Sequence, residues 1–333
     1  MRQIKVFVLV WAAIGLAACS SDGVVEDPEV ENHKQPLPLT IIVNETPLQN
    51  TDAPASVSAT RAPVTTTSKL TTFTLDYQYM RGAELQRDYY IANKDGNGKW
   101  VTDGFWPTET SDDTEVGWYA HTPEVYGNRV YGEETPYVSF TVEEYAAKQS
   151  DLLLATAIGS SASTGGRLTF TFDHACTALR FYVKKSTYLN DYTLMLNKIQ
   201  LCNVVRQGKC YFKDISWTLD DTRSLYTLYE GDARELDSGN YILLNANEDD
   251  FLFMIPQELT PWDTRTDIAS ATSQTYIMIE CSLSQGETSI YSGTAYIPFP
   301  SRATTLIAGW QNDVKINIGK NSLYSGANTK IIQ

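Results

Sequence analysis

From Leu70 onward the chain alternates apolar and polar residues at a period of two, segment after segment, with turn residues between the segments. Phe73-Thr74-Leu75-Asp76-Tyr77 is one such run, and Arg167 to Val183 holds two in succession. Side chains on a strand point to opposite faces in turn, so each run buries one face and wets the other. Helical spacing is confined to Val142–Gln149, where Glu144 and Lys148 stand four residues apart. Strands recurring at intervals of roughly 8–14 residues, with almost no helix, imply an all-β protein built of sandwiches.

The turns can be placed by their residues. Tyr89–Ala92 and Trp100-Val101 flank Asn93-Lys94-Asp95-Gly96-Asn97-Gly98, which predicts strand, tight turn, strand. The same stretch looks superficially like a calcium loop, but its twelfth position is Gly104, where such a loop requires a bidentate Glu. Tyr192–Val205 with Lys209–Trp217 is expected to form a hairpin about Gln207-Gly208, and Thr275–Leu283 with Tyr291–Phe299 another. Asn240–Asn245 and Phe251–Gln257 add two further strands.

Ahead of this body stands a different kind of sequence. Arg2 and Lys5, an apolar stretch from Val6 to Leu16 and the closing Leu16-Ala17-Ala18-Cys19 read as a lipoprotein signal over residues 1–18. Cys19 is then the lipidation site and an outer membrane the expected anchorage, because each buried methylene of an acyl chain contributes roughly 0.8 kcal/mol. Residues 20–36 form an acidic, Pro-containing tether. Leu37–Val43 has the length and β-branched content of one strand, with Leu37, Leu39, Ile41 and Val43 on one face. Residues 44–68 revert to a linker of small and polar residues in which Arg61 is the only basic residue. An Arg in such an extended segment is open to an Arg-specific protease. Residues 19–61 are therefore expected to be a tether plus a removable strand, cut between Arg61 and Ala62.

At 333 residues, the chain has material for one large or two medium domains. Two sandwiches are expected, over 62–186 and 187–333, with the junction near Lys184–Asn190 where the apolar alternation is interrupted. The net charge is −14, and becomes two units more negative when Arg2 and Lys5 leave with the signal. Nucleic acid is excluded as a partner, since neutralising phosphates takes clustered Lys and Arg. Cys176, Cys202, Cys210 and Cys281 are irregularly spaced within apolar runs, which argues against zinc and for buried free thiols. No metal or other cofactor is expected. Nor is a catalytic residue: there is no G-x-S-x-G elbow, H-E-x-x-H pair or Walker loop, His33 lies in the tether, and His121 and His174 sit in strands.

Four motifs recur in order behind the lipobox: Trp106-Pro107, Trp118-Tyr119-Ala120-His121-Thr122-Pro123, Asp151-Leu152-Leu153-Leu154-Ala155, and Leu168-x-Phe170-x-Phe172-Asp173-His174-Ala175. In order and spacing they are similar to the fimbrillin-like lipoproteins of Bacteroidales, the subunits of type V pili. Ile255-Pro256-Gln257 and Gly309-Trp310 resemble the family too, although Gln311-Asn312-Asp313-Val314 stands where its members usually carry Pro-Gly and Tyr-x-Tyr. The resemblance implies two transthyretin-like β-sandwiches in series and assembly by donor-strand exchange with other fimbrillin subunits, as a homo- or hetero-polymer. It also implies a C-terminal donor tail, for which Leu323, Tyr324, Ile331 and Ile332 are the candidates, though they lack clean alternation. Adhesion to a host or bacterial surface ligand would follow from a fimbrial role. The rival reading is a surface lipoprotein that binds carbohydrate without polymerising, using some of its 20 Tyr and of the six Trp outside the signal as platforms for sugar rings.

Overall fold

The structure, a computed structural model, describes residues 37–50, 70–107, 111, 113–124, 129–130, 136–245, 250–326 and 330–332. In chain order its strands begin with β1 (Thr40–Glu45), β2 (Gln49–Asn50), β3 (Thr72–Arg81), β4 (Glu84–Lys94), β5 (Trp100–Val101), β6 (Val116–Thr122) and β7 (Arg129–Val130). Next come β8 (Tyr137–Thr141), β9 (Leu153–Gly159), β10 (Arg167–His174), β11 (Thr177–Lys185), β12 (Thr193–Val205), β13 (Gln207–Tyr211) and β14 (Trp217–Leu219). The last six are β15 (Arg223–Glu235), β16 (Ile242–Leu243), β17 (Leu252–Met254), β18 (Tyr276–Gln285), β19 (Thr288–Pro298) and β20 (Trp310–Ile318). Helix among the described residues is limited to single turns such as Ser161–Thr164.

Seven strands form one sheet in the order β1-β10-β9-β6-β3-β4-β5. Its inward residues show the alternation read from sequence: on β10, Leu168, Phe170 and Phe172 are buried while Arg167, Thr169 and Thr171 are exposed. They meet Phe73 from β3, whose ring lies 6.1 Å from Phe170 and 5.1 Å from Phe172 in edge-to-face contacts. Leu75, Trp106 and Trp118 belong to the same first core. A second core lies between the sheet β16-β11-β20-β2, with β17 also on β11, and the sheet β15-β12-β18-β19. Leu179, Phe181, Val183, Val314 and Ile316 from the one side meet Leu194, Leu196, Ile199, Ile277 and Ile279 from the other. A small sheet, β14-β13-β8-β7, adds Val138, Phe140 and Cys210 to the same core. The second core thus draws on chain from both sides of residue 186.

Three local expectations are corrected. The segment Val142–Gln149 is not a helix, since only Ala146–Lys148 makes a 3-10 turn. Its backbone is engaged in tertiary bonds: Val142 N–H donates to Arg206 O (2.8 Å), and Glu144 O accepts from Thr227 N–H (3.1 Å). The hairpin about Gln207-Gly208 does not form either. β12 pairs with β15 and β18, whereas β13 crosses into another sheet and pairs with β8 and β14. Gly208 serves close approach instead of a turn, because a Cβ there would lie 2.6 Å from the Thr218 carbonyl oxygen. Finally, the linker after Val43 begins later than expected, with β1 running to Glu45 and β2 beginning at Gln49.

Elsewhere the local reading matches the fold. Asp95 closes the β4–β5 turn, its Oδ1 accepting from Asn97 N–H (2.9 Å) and Lys99 N–H (2.8 Å). His121 and His174 are buried and tied to carboxylates: His121 Nε2 lies 3.1 Å from Asp76 Oδ2, and His174 Nδ1 pairs with Asp151 Oδ2. Burial pushes the Asp151 carboxyl above the usual range, against the downward pull of His174.

Cys176, Cys202, Cys210 and Cys281 are free and buried. Burial pushes the thiols of Cys202 and Cys281 up to about 12, and those of Cys176 and Cys210 upward as well. All four should therefore resist Ellman's reagent at pH 8 in the folded protein and react once guanidinium unfolds it, because the thiolate is the reactive form. Gly208→Ala is expected to destabilise the fold by about 1–3 kcal/mol through overpacking against Thr218, read as a shift in the urea midpoint.

Candidate assembly site

The segment 37–50 is laid across both cores. β1 runs parallel to β10, in register from Thr40 opposite Arg167 to Glu45 opposite Phe172. Thr40 N–H donates to Gly166 O (2.8 Å) and Thr46 N–H to Phe172 O (2.9 Å), closing the two ends of the ladder. The period of two puts Leu39 (9% exposed) and Ile41 (7%) into the first core, with Val43 half-buried against it and Ile42 outward. Each such burial stabilises the seat by roughly 1.5–3 kcal/mol.

Before β1 the chain clips the far edge of the same sheet. Pro38 bridges Phe105, Trp106 N–H donates to Leu37 O (2.8 Å), and Leu39 N–H donates to Gly104 O (3.2 Å). Residues 104–106 come just after β5, the last strand in the sheet order, so the segment joins the sheet's first edge to its last. Gly166 makes room for this crossing: at φ +78° it has a backbone that favours glycine, and a Cβ would lie 3.0 Å from both the Leu37 side chain and the Pro38 carbonyl. After β1 the chain passes into the second core. Leu48 is buried there, Gln49 N–H donates to Gly309 O (2.8 Å), and β2 pairs parallel with the start of β20.

β10 depends on this segment. Its described pairing with β9 is limited to Asp173 opposite Leu154 and His174 opposite Leu153. From Arg167 to Phe172 its described ladder is the one with β1. Removing β1 would leave the backbone groups that β10 turns toward it between Arg167 and Phe172 unpaired and would uncover Leu168, Phe170 and Phe172, a combination that favours capture of another strand.

The structure brings together Leu37, Leu39, Ile41 and Val43 at this edge, with Leu37 exposed (37%) over Gly166. It does not bring the tail residues there. Leu323 and Ile332 are buried in the second core, Ile331 packs against it, and Tyr324 sits with Trp262 and Ala271 in a third cluster. Cys19, Arg61 and Ala62 lie outside the described residues. Sequence reasoning missed Leu48, Gly104 and Gly166. The first is a single apolar residue behind Pro47 in a polar stretch, with no periodicity to mark it, and the glycines matter through close approaches and, at Gly166, a positive φ that no local pattern announces.

A model of the family described as fimbrillin-like matches residues 58–331. The chain belongs to the fimbrillin-like family. Among solved structures it is similar to a fimbrial protein from Bacteroides vulgatus (TM-score 0.53, 15% identity, covering 86% of this chain and 96% of that one). It is also similar to a candidate cell adhesion protein from Bacteroides ovatus (TM-score 0.50, 12% identity, 87% and 95% covered). A third, from Parabacteroides distasonis, is again a candidate cell adhesion protein (TM-score 0.50, 9% identity, 86% and 90% covered). At these identities the likeness speaks to fold alone. No curated protein matches the sequence. As a fimbrillin-like protein the chain is a pilus or adhesin subunit of the cell surface, a structural protein and not an enzyme.

Ile41→Ser should loosen β1 and with it β10. Hydrogen exchange of the Arg167–Phe172 amides is expected to quicken by about tenfold or more, while the β18–β19 hairpin, which shares no contact with the substitution, keeps its protection.

Proposed function

We propose that this fimbrillin is exported as a lipoprotein acylated at Cys19, is held at the outer membrane, and joins a filament by donor-strand exchange once an Arg-specific protease cuts between Arg61 and Ala62. The observation that carries this reading is the seat of residues 37–50. They supply the described ladder partner of β10 from Arg167 to Phe172 and bury Leu39, Ile41 and Leu48, yet they are joined to the body through a stretch of small and polar residues containing Arg61. A segment so placed plugs the subunit before assembly. Cutting after it separates plug and lipid from the body in one step, and the vacated edge accepts an extended segment of another subunit through main-chain bonds and alternate side-chain pockets. Because donor and acceptor are different surfaces, the contact does not close on itself and grows head to tail.

The domain division that goes with this reading is a removable segment at 19–61, then sandwiches over 62–186 and 187–333, with β8 and β11 of the first stretch contributing to the core of the second. The family supports association with other pilus subunits. An adhesive filament exposed in this way would present the body to host or bacterial surfaces.

Arg61→Ala, made in the producing cell, tests the reading. Surface material carrying it should stay at monomer mass with acylated Cys19 as its first residue, whereas the unaltered protein should begin at Ala62 within high-mass ladders. Normal ladders from the R61A protein would falsify processing at Arg61.

A further inference from the structure

The plug sets out what its replacement must look like. Leu39, Ile41 and Val43 stand two apart along β1, and Leu48 lies five residues later in the second core. An incoming strand parallel to β10 and β20 therefore presents apolar side chains at positions i, i+2, i+4 and i+9. Residues 320–332 do not carry that pattern. With Leu323 at the place of Leu39, Ser325, Ala327 and Ile332 fall at the places of Ile41, Val43 and Leu48, so the two middle pockets receive a hydroxyl and a methyl. With Tyr324 first, the next two are Gly326 and Asn328.

The same residues are already engaged. Leu323 (1% exposed) and Ile332 (5%) are part of the second core. Tyr324 and Tyr296 exchange both backbone bonds, 2.8 and 3.1 Å, on the outer edge of β19. The Tyr324 ring stands edge-on to Trp262 at 5.4 Å, Tyr276 lies 6.4 Å from Trp262, and Tyr296 lies 5.8 Å from Tyr276. Ile331 N–H donates back to Leu323 O (3.1 Å), folding the segment on itself. Drawing it out would open this ring cluster and two core side chains to water, and gain a poorly fitting seat elsewhere.

We propose that Leu323–Gly326 and Lys330–Ile332 are a clasp that stays docked on Trp262 and Tyr296 during assembly, and that the strand replacing residues 37–50 is an extended segment of another subunit with apolar residues at i, i+2, i+4 and i+9, not residues 320–332 of a second copy. This rests on the strand-exchange reading above, and the test separates the two. The full chain is nicked by limited digestion with an Arg-specific protease and incubated with fluorescein-labelled peptides, one with the sequence of residues 37–50 and one with that of 320–333. The first peptide is expected to be incorporated and to co-elute with the protein in gel filtration. Its version carrying Ile41→Ser and Leu48→Ser should be incorporated at least about tenfold less. The tail peptide should stay free, and hydrogen exchange around Leu323–Tyr324 should be equally slow before and after nicking. Incorporation of the tail peptide, or loss of protection at Leu323–Tyr324 on assembly, overturns the clasp while leaving strand exchange standing. Exclusion of both peptides overturns strand exchange itself, and the clasp proposal with it.

Discussion

The parallel ladder between β1 and β10 is the interaction on which the rest of the first core depends. β10 delivers Leu168, Phe170 and Phe172 to that core, yet its described ladder from Arg167 to Phe172 is with β1. A strand held on one side by a single short neighbour is stable only while that neighbour stays. Backbone groups left without partners next to an apolar surface cost free energy that nothing else in the sheet recovers. The body is therefore built so that this place must be filled, first by its own chain and, in the assembly proposed above, by another.

The plug and the tail are both edge additions, but they differ in attachment. The plug adds to β10 and β20 in parallel, reaches both cores, and is joined to the body by a stretch of small and polar residues. The tail adds to β19 through one antiparallel bridge and is fixed by side chains, with Tyr324 among Trp262, Tyr276 and Tyr296 and with Leu323 and Ile332 in the second core. Edge-to-face ring pairs contribute roughly 0.5–1.5 kcal/mol each beyond the area they bury. One segment is thus tied mainly by a ladder that another strand can copy, the other by side-chain packing particular to this chain.

Three buried polar pairs link residues far apart in sequence. Asp76 takes His121, Asp151 takes His174, and Gln200 donates to Thr227 Oγ1 at 2.9 Å. These pairs sit on or beside strands β3, β6, β10, β12 and β15, where a mispaired register would leave a charge or amide without its complement. They fit a structural protein whose buried titratable groups specify register. The four thiols are equally withdrawn from chemistry by burial.

The strand-rich character of the chain was legible residue by residue, because period-two alternation in runs such as Leu168-x-Phe170-x-Phe172 is a local consequence of burying one face. So was a strand close to residues 37–43, although it runs from Thr40 to Glu45, and so were the thiols as isolated apolar-run cysteines. The sequence showed neighbours only where a tight turn joins them, as in β4–β5 and β18–β19, and not elsewhere. Tyr192–Val205 and Lys209–Trp217 look like a hairpin, yet Arg206 carries the chain from one sheet to another, since pairing depends on what lies opposite and not on what lies next. The helical spacing of Val142–Gln149 yielded to Arg206 and Thr227, which claim its backbone groups from far along the chain. Leu48, Gly104 and Gly166 owe their importance to the crossing of residues 37–50 over two cores, a feature with no local signature. Periodicity therefore determined that this protein is made of strands and where most of them run. Only the tertiary structure decided that one short segment completes both cores, because ladder partners and close approaches are set by residues distant in sequence.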